Sequence, residues 1–351
     1  MRLGLSLGYQ AAWTTPADHL ALAREADRLG YAVVWAAEAY GSDSPTMLAW
    51  IAGQTERIDV GAAVMQIPAR SPAMTAMTAA TIDALSGGRF RLGLGVSGPQ
   101  VSEGWHGVRF GKPLGRTREY VDIVKLALSR TTVRYEGDHF TLPLPDGPGK
   151  ALKLMLHPYR EHIPIYLAVI GPKNLEQTGE IADGWLGIFF APEHAESSLG
   201  PLRVGAERSG RTLADLDLVA NVPVVIGDDL DACAEPLRGY TALYVGGMGS
   251  RKQNFYNALA RRMGYDEAAE QIQTLYLDKR HREAMAAVPR DLIDQTALIG
   301  PKERIAERLH AYAEAGVTTI NVTPFAADEA GRVETLRAVA DVLAVEGLGA
   351  A

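Results

Sequence analysis

The strongest constraint on this chain is an alternation, repeated from end to end, of short apolar runs with segments of helical period. The runs lie at Leu3 to Leu7, Ala32 to Ala37, Ile58 to Met65, Phe90 to Val96, Ile163 to Val169, Gly184 to Phe190, Leu216 to Ile226 and Thr318 to Val322. They are nearly continuous rather than alternating, as burial on both faces of a parallel sheet requires. Between them, Thr15-Pro16, Ser44-Pro45, Ser71-Pro72, Gly171-Pro172 and Gly300-Pro301 put proline at helix starts, where its missing N–H costs nothing. Thr15 and Asp18 form a capping box. Gly30, Gly87, Gly184 and Gly316 mark helix ends just before a new strand. Leu22, Ala26 and Leu29, like Ile305, Leu309 and Tyr312, make one apolar stripe per helix. Eight strands in βα order predict a closed (β/α)8 TIM barrel rather than an open doubly wound sheet. The related segments Ile170-Gly171-Pro172-Lys173 and Ile299-Gly300-Pro301-Lys302 add weak internal repetition. Two stretches break the rhythm: 131–148 reads as a hairpin with a Pro/Gly tail, and 246–295 as a long helical insertion. Neither has the pattern of a core of its own.

With 351 residues, 47% of them apolar, the chain can bury a large core, and barrels of this class reach that size as one domain, taken here as 1–351. A net charge of -7 argues against chain-wide affinity for nucleic acid or an anionic membrane, so the expected partner is a small-molecule substrate. The one cysteine, Cys233, excludes an internal disulfide and a Cys-cluster metal site, and no run approaches 18 apolar residues; a cytoplasmic protein is expected.

Two motif matches fail on context. Gly93-Leu94-Gly95-Val96-Ser97-Gly98 fits the dinucleotide fingerprint, but it follows the fourth strand and Pro99 to Gly115 reads as loop. Its glycines are expected to let backbone approach a ligand. Gly4-Leu5-Ser6-Leu7-Gly8 fits a nucleophile elbow, yet Ser6 lies inside a strand. His157 and His162 flank a loop proline without metal-site spacing, and no metal is expected.

In a barrel the site lies at the C-terminal ends of the strands. Those positions carry Tyr9, Gln10 and Trp13; Glu38, Tyr40 and Asp43; Gln66 and Arg70; Ser97, Gly98, Gln100, Trp105 and His106; and Ile170, Gly171, Lys173 and Asn174. Aromatic, amide and glycine residues dominate, with no paired carboxylates and no Ser-His-Asp set, which points to a flat conjugated ligand rather than hydrolysis. The helix start at Gly171, with Lys173, makes an anion site suited to phosphate.

The segments 30–43, 57–64, 79–90, 181–185 and 250–256 carry a resemblance over nearly the whole length to the luciferase-like flavin and deazaflavin oxidoreductases. The nearest branch in pattern is the actinobacterial one that uses coenzyme F420. The resemblance implies a non-proline cis peptide at Ala63-Val64 behind the cofactor ring, with Ser97, Gly98 and Val101, then Ile170, Gly171, Lys173 and Asn174, holding the ribityl and phosphate groups. It places Glu38 near the ring edge. Tyr9, Trp13, Tyr40 and Trp105 are taken as substrate contacts, and Glu38, Tyr40 and His106 as the candidates for proton transfer. The sugar-phosphate dehydrogenases of the family carry Asp-His after strand two and Glu after strand four; this chain has Glu38-Ala39 and Gly98-Pro99, so that activity is not expected. Hydride transfer between F420 and a small organic substrate is the expectation. An FMN-dependent two-component monooxygenase and a non-catalytic flavin-binding barrel are the alternatives, and a homodimer is allowed. Lys112, Arg116 and Arg118 are placed to meet the acidic tail of F420.

Overall fold

The computed structural model describes residues 1–8 and 15–349. Among them, eight parallel strands close into a ring: β1 (Arg2–Gly8), β2 (Val33–Ala36), β3 (Asp59–Ala62), β4 (Phe90–Gly95), β5 (Ile165–Ala168), β6 (Gly184–Ile188), β7 (Asp217–Ile226) and β8 (Thr319–Pro324). The ring shuts where β8 pairs with β1, Leu3 opposite Ile320 and Leu5 opposite Val322. All eight are those expected from the apolar runs. The third is shorter than expected: it stops at Ala62, the Ala63–Val64 peptide is cis, and Met65–Gln66 resume pairing against β4.

The helices α1 (Pro16–Arg28), α2 (Ser44–Ala52), α3 (Pro72–Leu85), α4 (Pro99–Gly104), α5 (Pro113–Leu128), α6 (Pro172–Ile181), α7 (Glu196–Arg208) and α8 (Leu230–Ala242) follow in order, then α9 (Phe255–Arg262), α10 (Asp266–Leu277), α11 (His281–Ala286), α12 (Arg290–Thr296), α13 (Lys302–Glu314) and α14 (Glu329–Val345). Proline opens α1, α3 and α6 as expected, and the Thr15–Asp18 capping box is formed. At α2 the cap is Asp43 rather than Ser44, because its carboxylate reaches the Thr46 amide; at α13 Pro301 is the cap. Gly30, Gly87 and Gly316 take the positive φ expected of helix ends, but Gly184 does not. It opens β6, and a side chain there would meet the Tyr166 ring at 2.3 Å.

The segment expected to be loop after β4 contains α4 and the start of α5. The β4 glycines also serve differently from expectation: a Cβ on Gly93 would lie 1.8 Å from the Ala62 carbonyl, and one on Gly95 2.6 Å from Val64. They make room for the neighbouring strand. Residues 135–142 form the expected hairpin. The helical insertion packs its apolar residues into a shared cluster: Leu259, Ile272, Leu292 and Ile293 meet Leu237 of α8 and Phe189, Ala191 and Ile299 from the barrel. Short amphipathic helices cannot bury their stripes alone, so they share a core with the barrel rim.

Inside the ring, Val33, Trp35, Tyr166, Leu186 and Val219 form a filled layer, with Ala63, Val64 and Ala168 partly buried against it. Below, Arg91 donates to Asp59 (2.8 Å), Asp217 (3.0 Å) and the Tyr166 hydroxyl (3.2 Å), while Asp217 also takes Arg2 and Thr319. Polar groups therefore plug the N-terminal end.

Candidate active site

The ends of β2, β3 and β4 converge on one polar network. Glu38, just past β2, is buried, and its carboxylate accepts five hydrogen bonds: from the Ser44 amide and hydroxyl (3.1 and 3.2 Å), the Gln66 amide (2.9 Å) and two nitrogens of Arg70. Arg70 also grips Asp43 at 2.6 Å. Burial opposes the charge on Arg70, but Glu38 and Asp43 outweigh it and hold the guanidinium above its usual range. Burial likewise opposes ionisation of Asp43; hydrogen bonds from Thr46, with Arg70 alongside, win and keep its carboxyl below the ordinary value. Glu38 has no lone pair left toward substrate, so of the three proton-transfer candidates it is the one built as a clamp.

Gln66 carries the network onward. Its side-chain nitrogen donates to the Ser97 hydroxyl, and its oxygen lies 2.9 Å from Nε2 of His106. An amide oxygen only accepts, so Nε2 carries the proton and Nδ1 of the neutral ring keeps a lone pair. His106 is half-buried. Ser97 adopts a left-handed conformation at φ 61°, which turns the chain from β4 into α4, capped by Gly98. The Val101 carbonyl then accepts the amides of Trp105 and His106, fixing the histidine's approach.

Tyr40 and Trp105 are 72% and 67% exposed. Tyr9, Gln10 and Trp13 lie outside the described residues. At α6 the expected anion site is rearranged. Lys173 is turned to Glu176 (2.8 Å), which also receives Arg208, and these contacts hold the Glu176 carboxyl below its usual value. Its charge is neutralised on the outside of the helix. Asn174 leans toward Gly171 instead, its amide 3.4 Å from where a Cβ would stand. The cation at this end comes from 92 residues away: Arg262 of α9 reaches the Ile170 carbonyl at 3.5 Å, with no ion pair among the described residues. Burial lowers its pKa. Of the three cations expected near the acidic tail, Arg118 is bound to Glu180 at 2.6 Å and Lys112 stands 4.0 Å from Asp138, while Arg116 makes no ion pair among the described residues.

A family model described as luciferase-like monooxygenase matches residues 1–319. The chain belongs to the luciferase-like family. Within that family it is 43% identical over 336 residues, 94% of this chain and 96% of the relative, to a Mycobacterium tuberculosis protein assigned as a coenzyme F420-dependent oxidoreductase. It is 28% identical over 301 residues to 5,10-methylenetetrahydromethanopterin reductase of Archaeoglobus fulgidus, covering 84% of this chain and 86% of that one. The coenzyme F420-dependent tetrahydromethanopterin reductase structure from Methanopyrus kandleri superposes with a TM-score of 0.82 at 24% identity, over 97% of both chains. The luciferase-like resemblance carried by the sequence segments is thus met, as is the barrel.

Among the site residues, Gln66 and Arg70 were named on the rim by the sequence but given no role, and Arg262 was not singled out. Gln66 and Arg70 had a signal, their place after the third strand. Arg262 had none, because nothing local ties an insertion helix to the end of β5.

Proposed function

We propose that this protein is an oxidoreductase that transfers hydride between coenzyme F420 and a small organic substrate at the C-terminal mouth of the barrel. The observation that carries it is identity of 43% across nearly the whole chain with the mycobacterial relative assigned as F420-dependent. The residues present fit such a group. α6 begins at Gly171 with no side-chain cap, Arg262 reaches the Ile170 carbonyl and makes no ion pair among the described residues, and Ala63 is a small, only partly buried residue against the filled layer of the barrel.

Ala63 and Val64 would back the ring; Ser97, Gly98 and Val101 would flank the ribityl chain; and Ile170, Gly171 and Asn174, with Arg262 in the part first given to Lys173, would hold the phosphate. Bound F420 supplies the two-electron hydride chemistry of its central ring. The protein's share is placement and protons. Glu38 and Arg70 lock the β2–α2 connection and the Gln66 backbone, Gln66 fixes the histidine tautomer, and Nδ1 of His106 is the atom that exchanges a proton with substrate. Tyr40 and Trp105, with Tyr9 and Trp13, are proposed as outer substrate contacts.

Titration of the apoprotein with F420 and with FMN, followed by fluorescence, tests this: F420 should bind more tightly, and preference for FMN would overturn the cofactor assignment. Ala63→Phe should abolish F420 binding while the far-ultraviolet dichroism stays native. We propose a homodimer as well. Exposed Met77, Leu152, Met155 and Leu156 line an apolar groove of about 490 Å³ beside α3 and α5, an expanse that a second copy would cover. Met77→Asp combined with Met155→Asp should sediment as a monomer.

A further inference from the structure

We propose, resting on the F420 assignment above, that the substrate presents an uncharged aromatic or alicyclic body to an apolar arc on the side of the mouth away from His106. Around the closed ring, β2, β3 and β4 are consecutive and carry the polar network; β5, β6, β7 and β8 complete the circle. The ends of β6 and β8 contribute Ile188 and Phe325, joined by Tyr240 and Tyr256 from the insertion side, and all four are only partly buried against the second cluster. None carries a charge. A phosphorylated substrate needs cations to replace its hydration, whereas this arc offers ring faces, methyl groups and the phenol hydroxyls of Tyr240 and Tyr256.

The rings form a connected set. Phe189 lies 5.5 Å from Tyr240 and 6.2 Å from Tyr256, Tyr240 is 5.5 Å from Phe325, and Tyr244 is 4.8 Å from Tyr256, mostly edge to face. Phe189 and Tyr244 are buried as the inner tier, which leaves Tyr240, Tyr256 and Phe325 as the outer one. Their positions are set in advance. The chain passes from α8 into a π-helical turn at Leu243–Gly247, whose freed carbonyls are taken by side chains: Asn254 donates to Tyr244 and Val245 (3.1 and 3.0 Å) and Asn257 to Val245 (3.1 Å), while Asn257 also ties the turn to the Ala269 carbonyl of α10 (2.7 Å). That brace makes the arc rigid before a ligand arrives, so little ordering is lost on binding. The segment 250–256, singled out in the sequence, thereby acquires a role: it holds the turn and delivers Tyr256.

The experiment is calorimetry on the F420-loaded protein with two probes, the bicyclic ketone 1-tetralone and glucose 6-phosphate. 1-Tetralone should bind at least tenfold more tightly. Phe325→Ala and Tyr256→Ala should each weaken it about five- to tenfold, the size of one aromatic contact, with Phe325→Leu losing less and F420 affinity staying within about twofold in all three. Glucose 6-phosphate binding as tightly as 1-tetralone, or ring deletions that leave the 1-tetralone affinity unchanged, would overturn the proposal. Failure of F420 to bind is seen separately in the loading step and removes the cofactor assignment; the same two probes on the apoprotein then decide the arc by the same criteria.

Discussion

The two ends of the barrel both gather charged and polar side chains from several strands, yet they are built to opposite purposes. At the N-terminal end Arg91 is buried with its donors spent on Asp59, Asp217 and Tyr166, and burial, which opposes its charge, is outweighed by these partners. At the C-terminal rim the network is saturated only as far as Glu38; from Gln66 outward it ends in a half-buried histidine whose Nδ1 has no partner among the described residues. Saturation makes a plug, and a network that stops one bond short makes a site.

Arg91→Ala is the harshest break of that contrast, because it leaves Asp217 and Asp59 without their shared cation. Loss of one partner of a buried pair costs about 3–5 kcal/mol, so the melting temperature should fall by roughly 6 °C or more. The fraction still folded should bind F420 normally. At the rim the pattern inverts: His106→Ala should lower kcat about 100-fold or more while melting moves by no more than about 2 °C. Equal damage to stability and rate in both variants would erase the distinction between the ends.

Arg262→Ala should be milder, weakening F420 a few-fold, and more at low salt than at high salt, since a partly exposed charge contact is screened. The same loss at both salts would leave Arg262 a packing residue. The smallest effect belongs to a third, outer cluster. Hydrogen bonding from Arg28, opposed by burial and assisted by Arg337, brings the Glu25 carboxyl down to about 2. A carboxylate with a depressed folded-state pKa stabilises fully above its unfolded value and loses that contribution as pH falls from about 4.5 toward 2. Glu25→Gln should therefore flatten the acid limb of the melting profile in that window, melting slightly lower than the parent near neutrality, where the carboxylate's contribution is fully present, and converging with it in acid.

Much of this was open to reading because its causes are local. Strand runs, proline starts, the Thr15–Asp18 box and the bulge at Ala63–Val64 each follow from a few neighbouring residues or from a family segment of similar length. The meeting of Glu38, Ser97 and His106 at one rim was also legible, since a barrel collects whatever follows its strands at one end. Their roles were not. Glu38 reads as an available carboxylate until Arg70, 32 residues on, occupies it, and Lys173 reads as an anion's partner until Glu176 and Arg208 claim its surroundings.

The sequence by itself determined the order and number of the strands, the barrel they close into and the rim on which chemistry can occur, because hydrophobic period and backbone punctuation act over a few residues at a time. Only the tertiary structure decided which polar groups are spent and which are left over. His106 meets Gln66 across 40 residues, Arg262 reaches Ile170 across 92, and Tyr240 touches Phe325 from a different element. Such meetings depend on how the ring closes and where the insertion settles, and no local pattern encodes the distance between them.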